Sequence, residues 1–364
     1  MRITFEIGHP AQVHLFRYVL SELKDRHEIR ILIKERESMV GVLLNHYGFE
    51  YSVLQPNSPN IFGKMKNLVI NDIKLFNISR ELRTDVFVSV ASPYSAHVSA
   101  LLGKPHISLT DTEDANIQLK LMVPFTDAIL TPDCFLKDFP ENKHIRYPGY
   151  HELAYLHPKR FKPDPSILEL LGVEKDEKYV IMRFSAWDAS HDLGQHGFRS
   201  DDERMKLVKM IEKHAKVFIT SEIPMVGDLE KRRINIPPHR IHDALHFSSL
   251  YIGDGHKMAA EAGILGVPSI LISTRWKRTG NFIDFVKKYH TVEAFEEVNN
   301  ARKRALEILQ DAERNKREWK ERSESMLKDK IDVSSFLIYF IENYPESHKE
   351  YIEDADSLFK KFKN

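Results

Sequence analysis

Short apolar runs alternate with amphipathic stretches along the first third of the chain. Runs rich in β-branched and aromatic residues predict strands over 2–7, 29–33, 85–90, 105–109 and 127–131. Apolar residues at helical spacing predict intervening helices over 11–26, about 37–47 and 94–102. Because the strand runs are nearly continuous in apolar residues, they are typical of parallel strands that helices cover on both faces.

The same alternation starts again in the second half of the chain. Apolar runs predict strands over 178–184, 216–220, 249–253 and 268–272. The stretch 146–166 carries four prolines and many charges, which is typical of a connection between domains. We therefore predict two doubly wound α/β domains, over 1–150 and 151–330, and helices over 331–364. In such sheets ligands bind at the carboxyl ends of the strands, so the loops that follow strands are the places to search.

A chain of 364 residues is longer than the chains that fold around one hydrophobic core, which supports two domains. Lys+Arg and Asp+Glu both number 53, so the zero net charge gives no electrostatic reason to expect a nucleic-acid partner. Cys134 is the only cysteine, which excludes an internal disulfide and suits a reducing compartment. No apolar run approaches the ~20 residues of a spanning helix, and Glu6 interrupts the N-terminus where a signal peptide is apolar. We expect a soluble cytoplasmic protein, with peripheral membrane contact left open.

The stretch "LYIGDGHKMAAEAGILGVPSILI" (250–272) predicts a strand, a glycine turn, a helix and a second strand. Gly253, Asp254 and Gly255 form the turn, and the first turn of the helix offers backbone N–H groups and the positive end of the helix dipole. Glycines there leave room for a phosphate, and Lys257 adds a positive charge. Glu261 lies farther along the helix, close enough to accept hydrogen bonds from ribose hydroxyls. The turn therefore predicts a binding site for a nucleoside diphosphate.

Two other interpretations of this turn deserve comparison. Glycine turns begin helices in many α/β proteins for reasons of packing alone, and Glu261 is then an acid in an early turn. A dinucleotide fold requires G-x-G-x-x-G after the first strand, whereas Met258 stands at the third glycine position here and the turn lies late in the chain. We reject the dinucleotide interpretation and keep Met258 among the residues that line the nucleotide.

Candidate acid–base residues follow strands of the first domain. His9 comes directly after the first strand, where a histidine is suited to general-base catalysis because its pKa is near neutrality. His14 lies within the next helix and is expected to be packed; a zinc site is not expected, since His9 and His14 are poorly spaced for one helix face. Asp111, Glu113 and Asp114 follow another strand, where neighbouring carboxylates raise one another's pKa. Their alternative role is to cap the helix that starts near 116.

The glycine segment resembles the donor-binding segment of GT-B glycosyltransferases and of non-hydrolysing UDP-N-acetylglucosamine 2-epimerases. Its shared features are a turn of small residues, an E-A pair and then L-G-x-P. More narrowly, the chain is similar to the family called domain of unknown function 354. The matching stretches include "HPAQVHLF", "SPYSAHVSALLGKPHI", "TDTED", "GYHELAYLHP", "RFSAWDASHD" and "IHDALHFSSLYIGDG". The resemblance implies the GT-B fold, in which two Rossmann-like domains face a cleft and C-terminal helices, here 331–364, cross back to the first domain.

The same resemblance implies further nucleotide contacts in the second domain. Segment 184–194 is the first strand-to-helix loop of that domain. Ser185 and His191 in this loop, and Arg183 just before it, could contact the diphosphate or the sugar. Ser221 follows the next strand and borders the same site. Ile241 and His242 belong to a segment that contacts the base in GT-B enzymes.

The expected function is transfer of a sugar from a nucleotide donor, with UDP favoured, to a glycan or lipid-linked acceptor in surface polysaccharide synthesis. His9 or Asp111 would take the proton of the acceptor hydroxyl. No metal or other cofactor is expected, since the helix end and basic groups serve the diphosphate; the Asp-Ala-Asp at 354–356 is expected to be a solvated helix face. The alternatives are an epimerase-like isomerase that uses Asp111 and Glu113, and a nucleotide-sugar binding protein without catalysis. The oligomeric state is not predicted.

Overall fold

The computed structural model describes residues 1–33, 38–54, 61–186, 197–198 and 200–363, and no side chain within 61–69. The strands are β1 (Arg2–Ile7), β2 (Glu28–Ile33), β3 (Ser52–Val53), β4 (Val86–Val90), β5 (His106–Leu109), β6 (Ala128–Pro132), β7 (His144–Tyr147), β8 (Tyr179–Phe184), β9 (Lys216–Ser221), β10 (Leu250–Gly253), β11 (Ser269–Ile272) and β12 (Glu293–Phe295). Each predicted strand is present, with ends that agree to within one residue.

The helices alternate with these strands. They are α1 (Pro10–Leu23), α2 (Met39–His46), α3 (Ile61–Glu81), α4 (Pro93–Leu102), α5 (Asn116–Met122), α6 (Leu153–Leu156), α7 (Ile167–Leu171), α8 (Asp201–Ile211), α9 (Ile241–Phe247), α10 (His256–Ile264), α11 (Gly280–Ile283), α12 (Val298–Gln310), α13 (Ala312–Asp329), α14 (Val333–Glu342) and α15 (Glu346–Lys360). Within the described residues, no helix is both long and apolar enough to span a membrane.

The chain forms two units, Met1–Arg160 with Lys330–Asn364 and Phe161–Asp329. The first unit extends ten residues beyond the predicted boundary at 150, because segment 151–160 is bonded to α1 and to the C-terminal helices. Arg17 donates to the carbonyl oxygen of Tyr155 at 3.2 Å, and the Tyr18 hydroxyl donates to that of Arg160 at 2.6 Å. The Arg160 guanidinium in turn donates to the carboxylate of Asp332 at 3.0 Å.

The first unit contains a parallel seven-stranded sheet in the order β3-β2-β1-β4-β5-β6-β7. Its apolar strands pack against the apolar face of α1, as in the edge-to-face contact of Phe5 with Phe16 at 5.2 Å between ring centroids. The chain winds in one direction from β1 to β3 and in the other from β4 to β7, so the sheet switches direction between β1 and β4. Residues that follow β1 and β4 therefore lie where a doubly wound sheet forms its crevice.

The second unit contains a parallel five-stranded sheet in the order β12-β11-β10-β8-β9. Its core joins apolar residues of the strands to α8 and α12, and includes the fully buried Trp319. Here the winding direction changes between β8 and β10. The loops after these two strands, and not those at the sheet edges, are the expected ligand-binding loops.

Candidate active site

The predicted glycine turn lies at the switch point of the second sheet. Gly253 ends β10 and is paired with Arg183 of β8, and α10 begins at His256 directly after the turn. The residue that precedes α10 is Gly255, so the N-cap position has no side chain. The Tyr251 hydroxyl, from within β10, holds the turn by donating to the carbonyl oxygen of Gly255 at 2.8 Å. Strand, turn and helix thus present the first turn of α10 at the carboxyl edge of the sheet.

The two glycines have a packing role that the sequence interpretation did not assign. A Cβ atom at Gly253 would overlap the backbone of Arg183, and one at Gly255 would overlap the Arg183 side chain. The glycines therefore let the end of β10 approach the end of β8. Room for a phosphate was the predicted reason for these residues, and close strand packing is a sufficient reason by itself.

Asp254 holds the neighbouring loop in place. Its carboxylate is buried and accepts hydrogen bonds from the backbone N–H groups of Ser185 at 2.8 Å and Phe198 at 3.3 Å. A Cβ atom at Gly197 would overlap the Asp254 side chain, so that residue too must be small. Both Asp254 and Ser185, predicted as nucleotide contacts, thus hold together the two loops at the switch point.

Arg183 is paired with a carboxylate at the end of β9. Its guanidinium donates to Glu222, whose other oxygen accepts from the N–H group of Ala186 at 3.2 Å. Ser221 makes a local turn instead, since its hydroxyl donates to the carbonyl oxygen of Ile223 at 2.8 Å. Arg183 therefore stands at the predicted position, with its charge already balanced by Glu222.

Glu261 is buried in the middle of α10 and is paired with a histidine. Its Oε1 lies 3.2 Å from Nε2 of His242, which belongs to α9 and is also buried. The ring of Phe161 covers His242 edge to face at 6.4 Å. Because a buried carboxylate is costly unless it is hydrogen-bonded, this imidazole explains how Glu261 is tolerated and fixes its orientation.

The remaining predicted nucleotide residues surround the same turn. Lys257 and Met258 are half-buried in the first turn of α10, and the Thr220 hydroxyl contacts the Met258 sulfur at 3.5 Å. Ile241, also half-buried, is the first residue of α9, the helix that carries His242. His191 lies outside the described residues.

His9 follows β1, as predicted; this position is at the switch point of the first sheet, and His9 also caps α1. Its Nδ1 accepts a hydrogen bond from the N–H group of Ala11 at 3.2 Å. An Nδ1 that accepts carries no proton, so the neutral ring is protonated on Nε2 and is a donor there. His14 is buried against Tyr155, with ring centroids 5.5 Å apart, which agrees with the expected packing role.

Asp111 follows β5 and contacts a histidine from another loop. Its Oδ2 lies 3.1 Å from Nδ1 of His151, and its Oδ1 accepts from the Thr112 hydroxyl at 3.2 Å. The sequence interpretation missed His151, although it lies in "GYHELAYLHP", one of the stretches that carry the family resemblance. The available signal was a histidine shortly after a strand, but β7 was itself not predicted.

Glu113 has a different environment from Asp111. It is buried, and its Oε1 accepts from the N–H group of Leu136 at 3.3 Å, which ties the loop after β5 to the loop after β6. The residue at the N-cap position of α5 is Ala115, so none of the three acids occupies that position. The structure therefore separates two acids that the sequence placed together.

A buried carboxylate at the first switch point was also missed. Glu6 lies within β1 and accepts hydrogen bonds from the hydroxyl groups of Ser92 and Ser95, the latter at 2.6 Å. Both serines belong to the N-terminus of α4, where a negative charge is favoured by the helix dipole. The chain's own carboxylate thus occupies the helix end that follows β4.

Comparisons with known proteins show which family and which relative the sequence resembles. The model of a family described as "Protein of unknown function (DUF354)" matches residues 1–333. The uncharacterized protein MJ0665 of Methanocaldococcus jannaschii is 25% identical over 284 residues, which are 74% of this chain and 80% of that relative.

Solved structures of two enzyme classes share the fold. The S. aureus MnaA–UDP co-structure has a TM-score of 0.66 at 11% identity and covers 96% of both chains. The UDP-GlcNAc 2-epimerase of Methanocaldococcus jannaschii has a TM-score of 0.59 at 13% identity, over 85% of this chain and 92% of that one. Spinosyn forosaminyltransferase SpnP has a TM-score of 0.61 at 14% identity, over 90% of this chain and 94% of that one. The predicted fold class, two Rossmann-like units of the GT-B type, is confirmed.

Proposed function

The chain belongs to the DUF354 family, and we propose that it is a glycosyltransferase that moves a sugar from a UDP-linked donor to a hydroxyl group of a glycan or lipid-linked acceptor. The observation that carries this proposal is the arrangement of α10. Its N-terminus lies at the switch point of the second sheet, and buried Glu261 lies within the same helix. One helix thus offers N–H donors for a diphosphate and a fixed carboxylate acceptor for ribose hydroxyls.

The donor would be held mainly by hydrogen bonds to its diphosphate. Each charge-assisted bond contributes about 1.5–3 kcal/mol, whereas the helix dipole contributes about 0.3–1 kcal/mol at exposed sites. Lys257, in the first turn, adds a positive charge beside the same helix end. The S. aureus MnaA structure, which has the same fold and contains UDP, supports a uridine nucleotide as the ligand class.

In the proposed reaction, the acceptor hydroxyl oxygen forms a bond to the anomeric carbon of the sugar. The bond between that carbon and the diphosphate oxygen breaks, and UDP leaves with the electron pair. The first turn of α10 stabilises the developing negative charge. Asp111 takes the acceptor proton; His9 is the weaker candidate, because its Nδ1 already accepts from the backbone and its Nε2 is then a donor.

The proposed setting is surface polysaccharide synthesis at the inner face of the cell membrane, through peripheral contact. We also propose that catalysis requires no divalent cation. The charge of the diphosphate is instead balanced by the N–H groups of α10, by Lys257 and by Arg183. The pairing of Arg183 with Glu222 reduces the contribution of Arg183.

An epimerase-like isomerase is the second candidate, since UDP-GlcNAc 2-epimerases share the fold. Such an enzyme would eliminate the nucleotide from the sugar and add it back after inversion at C2, with two acids as proton carriers. Asp111 meets that need, but Glu113 is already bonded to the backbone N–H group of Leu136, which favours the transferase. A nucleotide-sugar binding protein without catalysis is the third candidate.

A thermal-shift screen followed by one incubation tests the proposal. UDP is expected to raise the melting temperature more than GDP, CMP or dTDP do, and a ligand at 100 times its Kd adds about 2.7 kcal/mol of stability. The protein is then incubated with UDP-N-acetylglucosamine, with and without a mixture of glycan acceptors. A transferase releases UDP in an acceptor-dependent manner. Epimerised donor without acceptor would establish the isomerase instead, and binding without either product would establish a sensor.

A further inference from the structure

The Asp111–His151 contact joins two loops of the first unit that are distant in sequence. His151 follows β7, and its Nδ1 lies 3.1 Å from Oδ2 of Asp111, which follows β5. The imidazole is almost completely buried, whereas the carboxylate is partly exposed, with 20% of its side-chain surface accessible. The histidine thus stands behind the acid, on the protein side of the carboxylate.

The imidazole of His151 makes no other hydrogen bond to the part of the chain that the structure describes. Within the described residues its Nε2 is buried and has no hydrogen-bond partner, and the buried hydroxyl of Tyr147, which ends β7, also has none. Burial, together with the charges of Asp111 and Glu152, raises the pKa of Tyr147 well above its ordinary value, so the phenol stays neutral. Asp111 is therefore the group that binds the imidazole. Burial of an imidazole with one nitrogen unbonded costs free energy, so the presence of His151 behind Asp111 calls for an explanation.

The backbone before His151 is held by the C-terminal segment. The N–H group of Ile331 donates to the carbonyl oxygen of Pro148 at 3.0 Å. A Cβ atom at Gly149 would lie 2.6 Å from Cγ2 of Val333, so the loop and α14 are in close contact. His151 is thus carried by a loop that cannot easily move, which is a requirement for a residue that must hold another in position.

We propose that His151 is a positioning residue for Asp111. Its Nδ1–H group donates to Oδ2 and holds the carboxylate so that Oδ1, beside the Thr112 hydroxyl, receives the proton of the acceptor. Loss of this bond leaves the acid present but less firmly oriented, and a carboxylate that loses a donated hydrogen bond is protonated more readily. This inference rests on the proposed function, in which Asp111 is the base.

Two replacements of His151 separate hydrogen bonding from packing. His151→Asn retains an N–H donor near the position of Nδ1, whereas His151→Leu retains bulk and removes the donor. We expect His151→Leu to lower kcat about 10- to 100-fold, part of the ~10²–10⁴-fold contribution of a base, with KM for the donor changed less than about twofold. His151→Asn should recover most of kcat. The acidic limb of the pH–rate profile should move to higher pH in His151→Leu alone.

His157→Leu is the matched control. His157 is buried in the same unit, accepts from the N–H group of Lys159 at 3.3 Å, and makes no hydrogen bond to a carboxylate within the described residues. The His157→Leu variant should be less stable than the wild type, and its pH–rate profile should be unchanged. Equal kcat and profile changes in His151→Leu and His157→Leu would overturn the inference, as would failure of His151→Asn to recover kcat.

A measurement without turnover separates this inference from the proposed function. The ¹³C shift of the Asp111 carboxyl group, followed against pH, should have its midpoint at higher pH in His151→Leu than in the wild type and His151→Asn. If no nucleotide sugar is turned over but the midpoints differ in this way, the proposed function fails and the positioning role stands. If the midpoints coincide in all three proteins, the positioning role is wrong, whatever the activity.

Discussion

Each unit of the protein pairs one of the proposed functional carboxylates with an imidazole, and the two pairs differ in exposure. In the first unit, the side chain of Asp111 is 20% exposed and that of His151 4%. In the second, the side chains of Glu261 and His242 are only 5% and 2% exposed. The donor–acceptor distances are nearly equal, at 3.1 and 3.2 Å. Two similar hydrogen bonds are thus embedded in different surroundings.

This difference suits different chemistry. A carboxylate that is partly exposed can receive a proton from a bound hydroxyl group, which is what a general base requires. A carboxylate that is buried and fixed by an imidazole is suited to accept hydrogen bonds from a ligand that itself displaces water, such as ribose. The comparison therefore assigns proton transfer to the pair in the first unit and nucleotide binding to the pair in the second.

The largest expected effect is that of Asp111→Asn. It removes the proposed base while retaining the size of the side chain, so kcat should fall about 10²- to 10⁴-fold. Steady-state kinetics with UDP-sugar and acceptor measure this. Asp25→Asn, an exposed acid of the same unit, is the control and should have normal kcat. Near-normal turnover in Asp111→Asn would remove the base from this pair.

Glu261→Ala is expected to have an intermediate effect. Loss of a charge-assisted bond to ribose costs about 1–3 kcal/mol, which corresponds to about a 5- to 150-fold weaker Kd for UDP. Inorganic diphosphate lacks ribose, and its affinity should stay nearly unchanged, which also shows that the fold is intact. Calorimetric titration with both ligands measures these affinities. The control is Glu321→Ala, which removes an exposed acid. Equal weakening of both ligands would contradict the ribose role.

Acid pH should lower the unfolding free energy of both units, because each unit buries a histidine in the neutral form. Burial lowers the pKa of His106 in the first unit to about 3 and that of His246 in the second to about 4. An unfolded histidine titrates near 6.5, so below that pH the unfolded chain binds more protons than the folded one. The unfolding free energy should therefore be highest above pH 6.5 and fall as the pH is lowered toward 4. Urea unfolding at pH 7, 6 and 5 measures this free energy. Its dependence on pH should be shallower in His106→Asn than in the wild type. An identical dependence would contradict the role given to His106.

The smallest expected effect is that of a chelator. If the N–H groups of α10 and Lys257 serve the diphosphate, turnover in EDTA should stay within about twofold of its value in buffer. Loss of turnover with EDTA, followed by recovery with Mg²⁺ or Mn²⁺, would instead assign the charge of the leaving group to a cation.

The strands were predictable because most are runs of apolar residues with strong β propensity. Strand β7 is an exception that was not predicted. β7 has the sequence His-Ile-Arg-Tyr, and its polar residues hide the pattern; in the structure His144 bonds to Thr131 at 2.9 Å, while Arg146 donates to backbone carbonyls nearby. Since β7 was not seen, segment 146–166 was interpreted as a connection, and its first part instead belongs to the first unit.

The site was predictable in its location and less so in its contacts. The position of Gly253–Gly255 after a strand followed from local sequence, and so did the carboxylate in the next helix. The partners His151 and His242 did not, because they lie 40 and 19 residues from the acids they bind, and only the sheet order brings them together. Local sequence likewise gave no sign that Asp254 binds the backbone of another loop.

One measurement tests the assignment of the two pairs most directly. UDP is titrated calorimetrically into the wild type, Asp111→Asn and Glu261→Ala, and kcat is measured on the same preparations. The account predicts that Glu261→Ala raises the Kd for UDP about 5- to 150-fold, while Asp111→Asn leaves that Kd within about twofold and loses turnover. If Asp111→Asn weakens UDP as much as Glu261→Ala does, or if the wild type does not bind UDP, the separation of base and nucleotide site between the two units is wrong.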